Sequence, residues 1–438
     1  MNYNKKTMSH PGHSETGGTL FLILEGVIVG ALAALVAVLY RFLLTKAESS
    51  LRFILSEIRG KGLYIALWFV ALAILGFLVA RIVRFEPMSS GSGIPQVSGE
   101  IKGFLDPVWW KVLLAKIVGG TLSIFGGLSL GREGPSVQLG AMAAKGFSRV
   151  TKREHARELT LISCGAGAGL AAAFNAPFAG LLFILEEMHH SFERSLLVAG
   201  MVSTLTADFV SKIFFGQSVI FTFGSSTLPL HYYWLLIILG ILLGLAGAGY
   251  NYVMLKFQAL FQKCKKVPIE VGVILTFLIA GVLGFLLPEV LGGGHAMVVL
   301  LEEGRPAIVT LIILLVAKFL FSALSFGSGA PGGIFFPLLV LGSFIGAIFG
   351  SVVIQLFPLD EAIWSQFIII GMAGLFSSIT RVPITGVVLI VEMTGSMHRL
   401  LDIALVCFIS YVVANLTGSK PIYDSLLDNI LKNKKNSN

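Results

Sequence analysis

Long stretches without a charged residue alternate with short polar connections along most of this chain. The segments 159–185, 213–255 and 319–359 contain no Asp, Glu, Lys or Arg. A membrane-spanning helix needs about 20 consecutive apolar residues, and each of these segments is longer than that. The chain holds roughly ten or more apolar segments, several interrupted by Gly or Pro, as in helices that break inside a bilayer. The pattern therefore predicts an all-α polytopic membrane protein.

Composition supports this assignment and decides how the net charge is interpreted. Hydrophobic residues make up 55% of the 438 residues and charged residues only 13%, whereas soluble domains are about 25% charged. The net charge of +8 does not indicate nucleic-acid binding, because the basic residues cluster in short connections and at the ends. We expect these clusters to remain cytoplasmic, with both termini inside and the chain multi-pass in the cell (inner or plasma) membrane. The clusters are Lys5 and Lys6, 152–157, 263–266 and 432–435.

Cysteine and histidine usage gives no sign of a disulfide framework or a metal centre. Cys164, Cys264 and Cys407 are scattered and form no C-x-x-C pair. His189 and His190 have no ligand partners in the sequence. No nucleotide fingerprint such as G-x-x-x-x-G-K-[ST] is present. We therefore predict no cofactor.

An internal repeat relates two parts of the chain. Segments 115–140 and 317–342 align at a constant offset of 202, and nine of 26 positions are identical, where chance in a sequence of this composition gives about three. A second pair, 168–188 and 373–393, shares a P-x-x-G-x-x-x-x-x-E frame with one extra residue before the second proline. We expect a single transmembrane transport domain over 1–438. Its first repeat would cover 19–215 and its second 230–418, followed by a short C-terminal segment at 419–438.

The repeat predicts where an ion site would lie. Transporters built from two such halves are commonly inverted in the membrane, and their ion sites lie at the repeat interface on helices broken near the midplane. The shared glycines and prolines indicate where these helices begin. A helix that begins inside the membrane presents unpaired N–H groups and about half a positive charge. We therefore expect broken and re-entrant helices that meet at a midplane anion site.

Two carboxylates stand where the repeat is not symmetric. Glu133 aligns with Phe335, and Glu187 aligns with Met393. Placing an ionised side chain in hydrocarbon costs at least a few kcal/mol of free energy, so we expect a carboxylate found there to have a function. The open alternatives are a water-exposed loop acid for Glu133 and an ordinary acid at the membrane edge for Glu187.

Charged residues that both repeats share are expected to be structural. Glu186 matches Glu392, and Lys116 matches Lys318. The alternative for the two lysines is a snorkelling cation whose ammonium group reaches water. We also expect Arg132 to hold the adjacent loop through hydrogen bonds.

Four motifs in order resemble one family of membrane proteins. They are GSGIP (91–95), GREGP (131–135), GGIFFP (332–337) and KPIY (420–423). Together they resemble the CLC chloride channels and chloride/proton exchangers, over nearly the whole chain from about Thr19 to Tyr423. The likeness is to compact prokaryotic members without cytoplasmic regulatory domains. It implies chloride and protons as substrates and a homodimer in the lipid bilayer with one pore per subunit.

The resemblance also implies a chloride site. Ser92 resembles a hydroxyl that donates to a central chloride, and Tyr423 resembles a second one. The backbone N–H groups of Ile334 and Phe335 resemble the next donors. Two alternatives stay open: a plain Gly/Ser linker for Ser92 and an interfacial belt tyrosine for Tyr423.

The two asymmetric carboxylates match the acids of the family. Glu133 resembles the gating glutamate, which competes with chloride when it is ionised and swings out when it is protonated. Burial disfavours its charge and helix N-termini favour it, so we expect a titratable group. Glu187 resembles the internal proton-transfer glutamate of the exchangers. In contrast to many exchangers, Gln96, rather than an acidic residue, follows GSGIP.

The sequence therefore predicts chloride/proton exchange by a secondary active transporter that is not an enzyme. The alternative is a passive voltage- or pH-gated chloride channel of the same fold. Glu187 favours the exchanger, since channels of the family usually lack a carboxylate there. A membrane-embedded enzyme with Glu186 and Glu187 as an acid pair is disfavoured, because no nucleophile or metal constellation accompanies them.

Overall fold

The computed structural model describes residues 15–224, 226, 228–263 and 268–437, and α-helices dominate this part of the chain. The helices are α1 Glu15–Ile58, α2 Gly62–Phe85, α3 Ile94–Ile101, α4 Trp109–Phe125, α5 Glu133–Val150, α6 His155–Phe174, α7 Pro177–Phe183, α8 Arg194–Phe215, α9 Tyr233–Lys263, α10 Ile269–Leu286, α11 His295–Glu303, α12 Ile308–Gly327, α13 Phe335–Leu356, α14 Trp364–Thr380, α15 Pro383–Thr394, α16 Leu400–Leu416 and α17 Ile422–Ser437. Single 3₁₀ turns lie at Pro87–Ser89, Leu230–Tyr232, Pro288–Val290, Glu361–Ile363 and Met397–Arg399, and a π-helical segment covers Ile184–His189. Lys5, Lys6, Cys264, Lys265 and Lys266, which the sequence singled out, lie outside the described residues.

Nine helices in the described ranges are long and apolar enough to cross a membrane. They are α1, α2, α8, α9, α10, α12, α13, α14 and α16. One side of α2 exposes Leu63, Leu67, Val70 and Ile74, each more than half accessible. A continuous apolar stripe of this kind is rare on a protein surface that faces water and is suited to lipid. The prediction of an all-α polytopic membrane protein is confirmed.

Small residues bring the most buried helices into close contact. A Cβ atom on Gly140 of α5 would lie 2.2 Å from the carbonyl oxygen of Gly165 in α6. A Cβ atom on Gly342 of α13 would lie 2.4 Å from the carbonyl oxygen of Gly371 in α14. Small residues at these crossings allow the close backbone approach that stabilises helix pairs in a bilayer.

The starts of three helices meet in the interior. The N–H of Gly131 donates to the carbonyl oxygen of Gly333 at 2.6 Å, and the N–H of Gly333 donates back to Gly131 at 2.8 Å. This pair joins the chain just before α5 to the chain just before α13. The N–H of Gly332 donates to the carbonyl oxygen of Gly91 at 3.0 Å, which brings the approach to α3 to the same place. The broken helices expected from the glycines and prolines therefore meet at their N-termini.

The two lysines shared by the repeats hold these loops. Lys116 is fully buried, and its Nζ donates to the carbonyl oxygen of Gly91 at 2.8 Å. Lys318 is also fully buried and donates to the carbonyl oxygens of Val290 at 2.9 Å and Gly292 at 2.8 Å. The structural interpretation is confirmed, and the snorkelling alternative is wrong because neither ammonium group reaches the surface.

Candidate functional site

Glu133 is the first residue of α5 and lies at the point where the helix starts meet. Its side chain is only 1% exposed, so the alternative of a water-exposed loop acid is wrong. The backbone N–H groups of Glu133 itself and of Phe336 face the carboxylate. Arg132 lies beside it, with Nε 3.6 Å from Oε1. Its side chain makes this ion-pair contact and donates no hydrogen bond to the loop within the described ranges, so that expectation was wrong.

Ser92 lies directly before α3, in a turn that only glycine can complete. Gly93 caps α3 with a φ of +92°, and a Cβ atom there would lie 2.5 Å from Oε1 of Gln138. Ser92 is 2% exposed. Its Oγ would lie 2.3 Å from a Cβ atom placed on Gly134, in the first turn of α5. Ser92 is therefore packed against the start of α5, which a plain flexible linker would not be.

Tyr423 reaches the same region from the other end of the chain. It lies in the first turn of α17 and is 2% exposed. Its hydroxyl is within electrostatic range of both Glu133 and Glu187. A belt tyrosine keeps its hydroxyl at the water interface, so that alternative does not fit Tyr423.

Ile334 and Phe335 supply the start of α13. Ile334 is the N-cap residue and Phe335 the first residue of the helix, so their N–H groups belong to the turn that has no intrahelical acceptors. The ring of Phe335 packs between Phe174 and Phe376, with centroid distances of 5.1 and 4.6 Å. This apolar surround excludes water from the helix start and strengthens electrostatic interactions there.

Three polar atoms of the predicted site are buried without a hydrogen-bond partner in the described part of the chain. The Oγ of Ser92, the hydroxyl oxygen of Tyr423 and Oε2 of Glu133 are buried and have no hydrogen-bond partner among the described residues. A buried polar atom without a partner costs about 1–3 kcal/mol. Two hydroxyl donors beside helix N-termini are suited to hold an anion, and the neighbouring carboxylate can hold a proton.

A cavity of about 690 Å³ leads to Ser92. Arg84 and Lys434 are on its wall, and no acidic side chain of the described residues lines it. Gln96 also faces this cavity and donates from Nε2 to the carbonyl oxygen of Ser90 at 2.8 Å. Arg84 is paired with Glu270 at 3.1 Å, so the cavity gives Ser92 an approach lined by polar and apolar side chains rather than a strongly charged one.

Glu187 lies in the π-helical segment that follows α7. It is 5% exposed and forms no ion pair or hydrogen bond with the described residues. The ion pair between Lys102 and Asp424, 3.4 Å long and partly exposed, lies within electrostatic range of it. Glu187 thus stands between the buried interior and a charged surface. Its π-helical geometry was not predicted, and such segments are frequent at functional sites.

Sequence reasoning missed two side chains near Glu133. Tyr40 is fully buried against Gly120 and lies within electrostatic range of Glu133. Glu48 is also within electrostatic range of that carboxylate. Both belong to α1. The hydroxyl of Tyr40 at the end of an apolar run was a usable signal, whereas Glu48 lies in the polar stretch TKAESS and gave none.

Comparison with known proteins gives concordant matches. The profile of the family described as "Voltage gated chloride channel" matches residues 72–415. The H(+)/Cl(-) exchange transporter ClcA of Klebsiella pneumoniae (strain 342) is 34% identical over 430 residues, covering 94% of this chain and 89% of that protein. The H(+)/Cl(-) exchange transporter ClcA of Vibrio cholerae (strain M66-2) is 36% identical over 429 residues, covering 95% and 90%.

Solved structures share the fold. A slow cyanobacterial Cl-/H+ antiporter superposes with a TM-score of 0.89 and 29% identity, covering 97% of this chain and 99% of that one. A CLC-type fluoride/proton antiporter superposes with a TM-score of 0.78 at 21% identity, covering 94% and 98%, which supports the fold alone.

Proposed function

Since the chain belongs to the voltage gated chloride channel family, we propose that it exchanges chloride for protons across a membrane as a secondary active transporter. Relatives at 34% and 36% identity carry the name H(+)/Cl(-) exchange transporter, which supports this proposal. The observation that carries it is the group of three unpartnered polar atoms on Ser92, Tyr423 and Glu133, beside helix N-termini.

In this mechanism the helix starts and the two hydroxyls hold chloride. The hydroxyls of Ser92 and Tyr423 donate to the ion, and the N–H groups of Ile334 and Phe335 face it from α13. Ionised Glu133 is attracted to the same donors, because a carboxylate and chloride are both compact anions. When Glu133 takes a proton, this attraction falls and the path opens for chloride. Proton and chloride therefore compete through one side chain.

Protons would reach Glu133 by way of Glu187. Tyr423 interacts electrostatically with both carboxylates, so the three groups lie in one region of the interior. Glu187 has no ion-pair partner within the described ranges, and it can therefore change its proton occupancy without breaking a salt bridge. The presence of Glu187 as a second proton-holding carboxylate also favours an exchanger over a passive channel, which has no need of one.

The remaining assignments belong to the same proposal. The chain would form one transport domain of two inverted repeats and assemble as a homodimer with one pore per subunit. It would lie in the cell (inner or plasma) membrane with both termini in the cytoplasm, and it would work without a cofactor.

The test is proton movement driven by chloride alone. Purified wild-type protein is reconstituted in liposomes with a chloride gradient and no pH gradient, potassium and valinomycin hold the membrane potential near zero, and the pH of the external medium is recorded. The proposal expects protons to move opposite to chloride until the pH gradient balances the chloride gradient. A chloride current without proton movement would make the protein a passive channel.

A further inference from the structure

A second acid, Glu48 of α1, stands close to the path on the side of Glu133. Its carboxylate rests against the loop that precedes α11, where its Oε1 would lie 2.5 Å from a Cβ atom on Gly292. Gly292 has a φ of +60°, so both its conformation and this contact exclude a side chain. Glu48 is half-buried, and no hydrogen bond or ion pair within the described residues neutralises it.

The loop under Glu48 connects it physically to Glu133. The Nζ of Lys318 donates to the carbonyl oxygen of Gly292 at 2.8 Å and fixes the loop. A Cβ atom on the next residue, Gly293, would lie 3.5 Å from the ring of Phe336. A Cβ atom placed on Gly131 would in turn lie 3.2 Å from the Cβ of Phe336 and 2.5 Å from Oε2 of Glu133. Glu48 and Glu133 are therefore separated by little more than a backbone segment and one aromatic ring.

The surroundings of Glu48 are rich in positive charge. The charged and titratable groups that interact with it directly or share its neighbours are Tyr40, Arg41, Arg52, Arg59, Arg132, His295, Lys318 and Glu133. Arg41 and Arg132 of this set interact with Glu133 and favour its ionised form. The negative charge of Glu48 opposes them, because a like charge nearby disfavours ionisation.

Water has access to this acid. A cavity of about 210 Å³ is bordered by Glu48, Arg52, Ser56 and Gly292. A water molecule occupies about 30 Å³ in the liquid, so the cavity has room for several. Glu48 therefore borders water while its charge acts on the buried Glu133.

We propose that Glu48 is a positioning residue for the protonation of Glu133. Its negative charge makes Glu133 easier to protonate and so sets the pH at which the chloride path opens. The inference rests on the proposed function, since it acts through the gating role of Glu133. It predicts that removal of this charge makes a more acidic solution necessary for chloride transport.

The experiment measures chloride efflux from liposomes against pH, with the same pH on both faces so that protein orientation does not matter. Glu48→Gln should move the pH midpoint to the acid side by about 0.5 unit, the size expected for one screened charge nearby, with the maximal rate retained. Glu48→Asp keeps the charge and should keep the wild-type midpoint. Glu57→Gln is the matched control, because it removes the same charge from an exposed position of the same helix, and it should leave the midpoint unchanged.

A double variant separates an action through Glu133 from a general effect. Glu133→Gln alone should flatten the pH profile, and Glu48→Gln added to it should have no further effect. The inference is overturned if Glu48→Gln leaves the midpoint in place, if Glu57→Gln shifts it equally, or if the shift persists in the Glu133→Gln background. Failure of the proposed function is a different result, namely chloride transport by the wild type without coupled protons.

Discussion

Glu186, in the π-helical segment after α7, caps α15, and Glu392, in α15, caps α7. The carboxylate of Glu186 accepts hydrogen bonds from two backbone N–H groups in the first turn of α15, at 3.2 and 2.7 Å. That of Glu392 accepts from two N–H groups in the first turn of α7, at 3.1 and 2.8 Å. These aligned acids therefore have the same structural task, and Glu186 is engaged in it rather than in an acid pair with Glu187.

Loss of either cap should lower stability and leave the transport site in place. Glu186→Ala and Glu392→Ala each remove a carboxylate from a helix N-terminus, which costs about 1–2 kcal/mol. We expect a lower Tm of both purified variants in detergent, measured by thermal unfolding, with chloride transport retained. The exposed Glu57→Ala on α1 serves as the control and should keep the wild-type Tm. Unchanged Tm values for both cap variants would contradict this assignment.

Removal of the two site hydroxyls should weaken chloride binding. Ser92→Ala combined with Tyr423→Phe deletes two donors to an anion, each worth about 1.5–3 kcal/mol because the acceptor is charged. Isothermal titration should show chloride affinity reduced about a hundredfold or more, with the fold intact because the helix-start amides remain. Tyr232→Phe, which deletes a hydroxyl elsewhere, is the control. If the double variant bound chloride as the wild type does, Ser92 and Tyr423 would not be ligands.

Proton transport should require Glu187, whereas chloride transport should not. Glu187→Gln keeps the size of the side chain and removes its capacity to carry a proton, while the chloride path past Ser92 is untouched. We expect chloride flux to persist and coupled proton flux to vanish when both are recorded from the same vesicles. Glu186→Gln is the matched control, with an adjacent acid and the same chemical change, and its proton flux should be reduced less. A larger proton defect in Glu186→Gln, or equal loss of both ions in Glu187→Gln, would contradict the assignment.

The sequence predicts the helix starts well, because glycines and prolines mark them locally. The positions aligned by the repeat, Glu133 and Phe335, are the first residues of α5 and α13. GSGIP likewise predicts the turn that places Ser92, since an N-cap in the left-handed region requires a glycine such as Gly93.

Features that depend on tertiary contacts could not be predicted from the sequence. The depth of Lys116 depends on the helices that surround it, so local hydropathy could not separate burial from snorkelling. The π-helical segment around Glu187 has no propensity signal of its own. The approach of Glu48 to Glu133 joins positions far apart in the chain, and no repeat or motif encodes their distance.

The most direct test of the account is the pair of fluxes in Glu133→Gln, recorded in one vesicle preparation under a chloride gradient. The glutamine has the shape of the protonated acid, so it should leave the path open and yet carry no proton. The account predicts sustained chloride flux, no chloride-driven proton uptake, and a chloride rate that no longer depends on pH. Proton uptake at the wild-type ratio to chloride would contradict the claim that both ions compete through this one carboxylate.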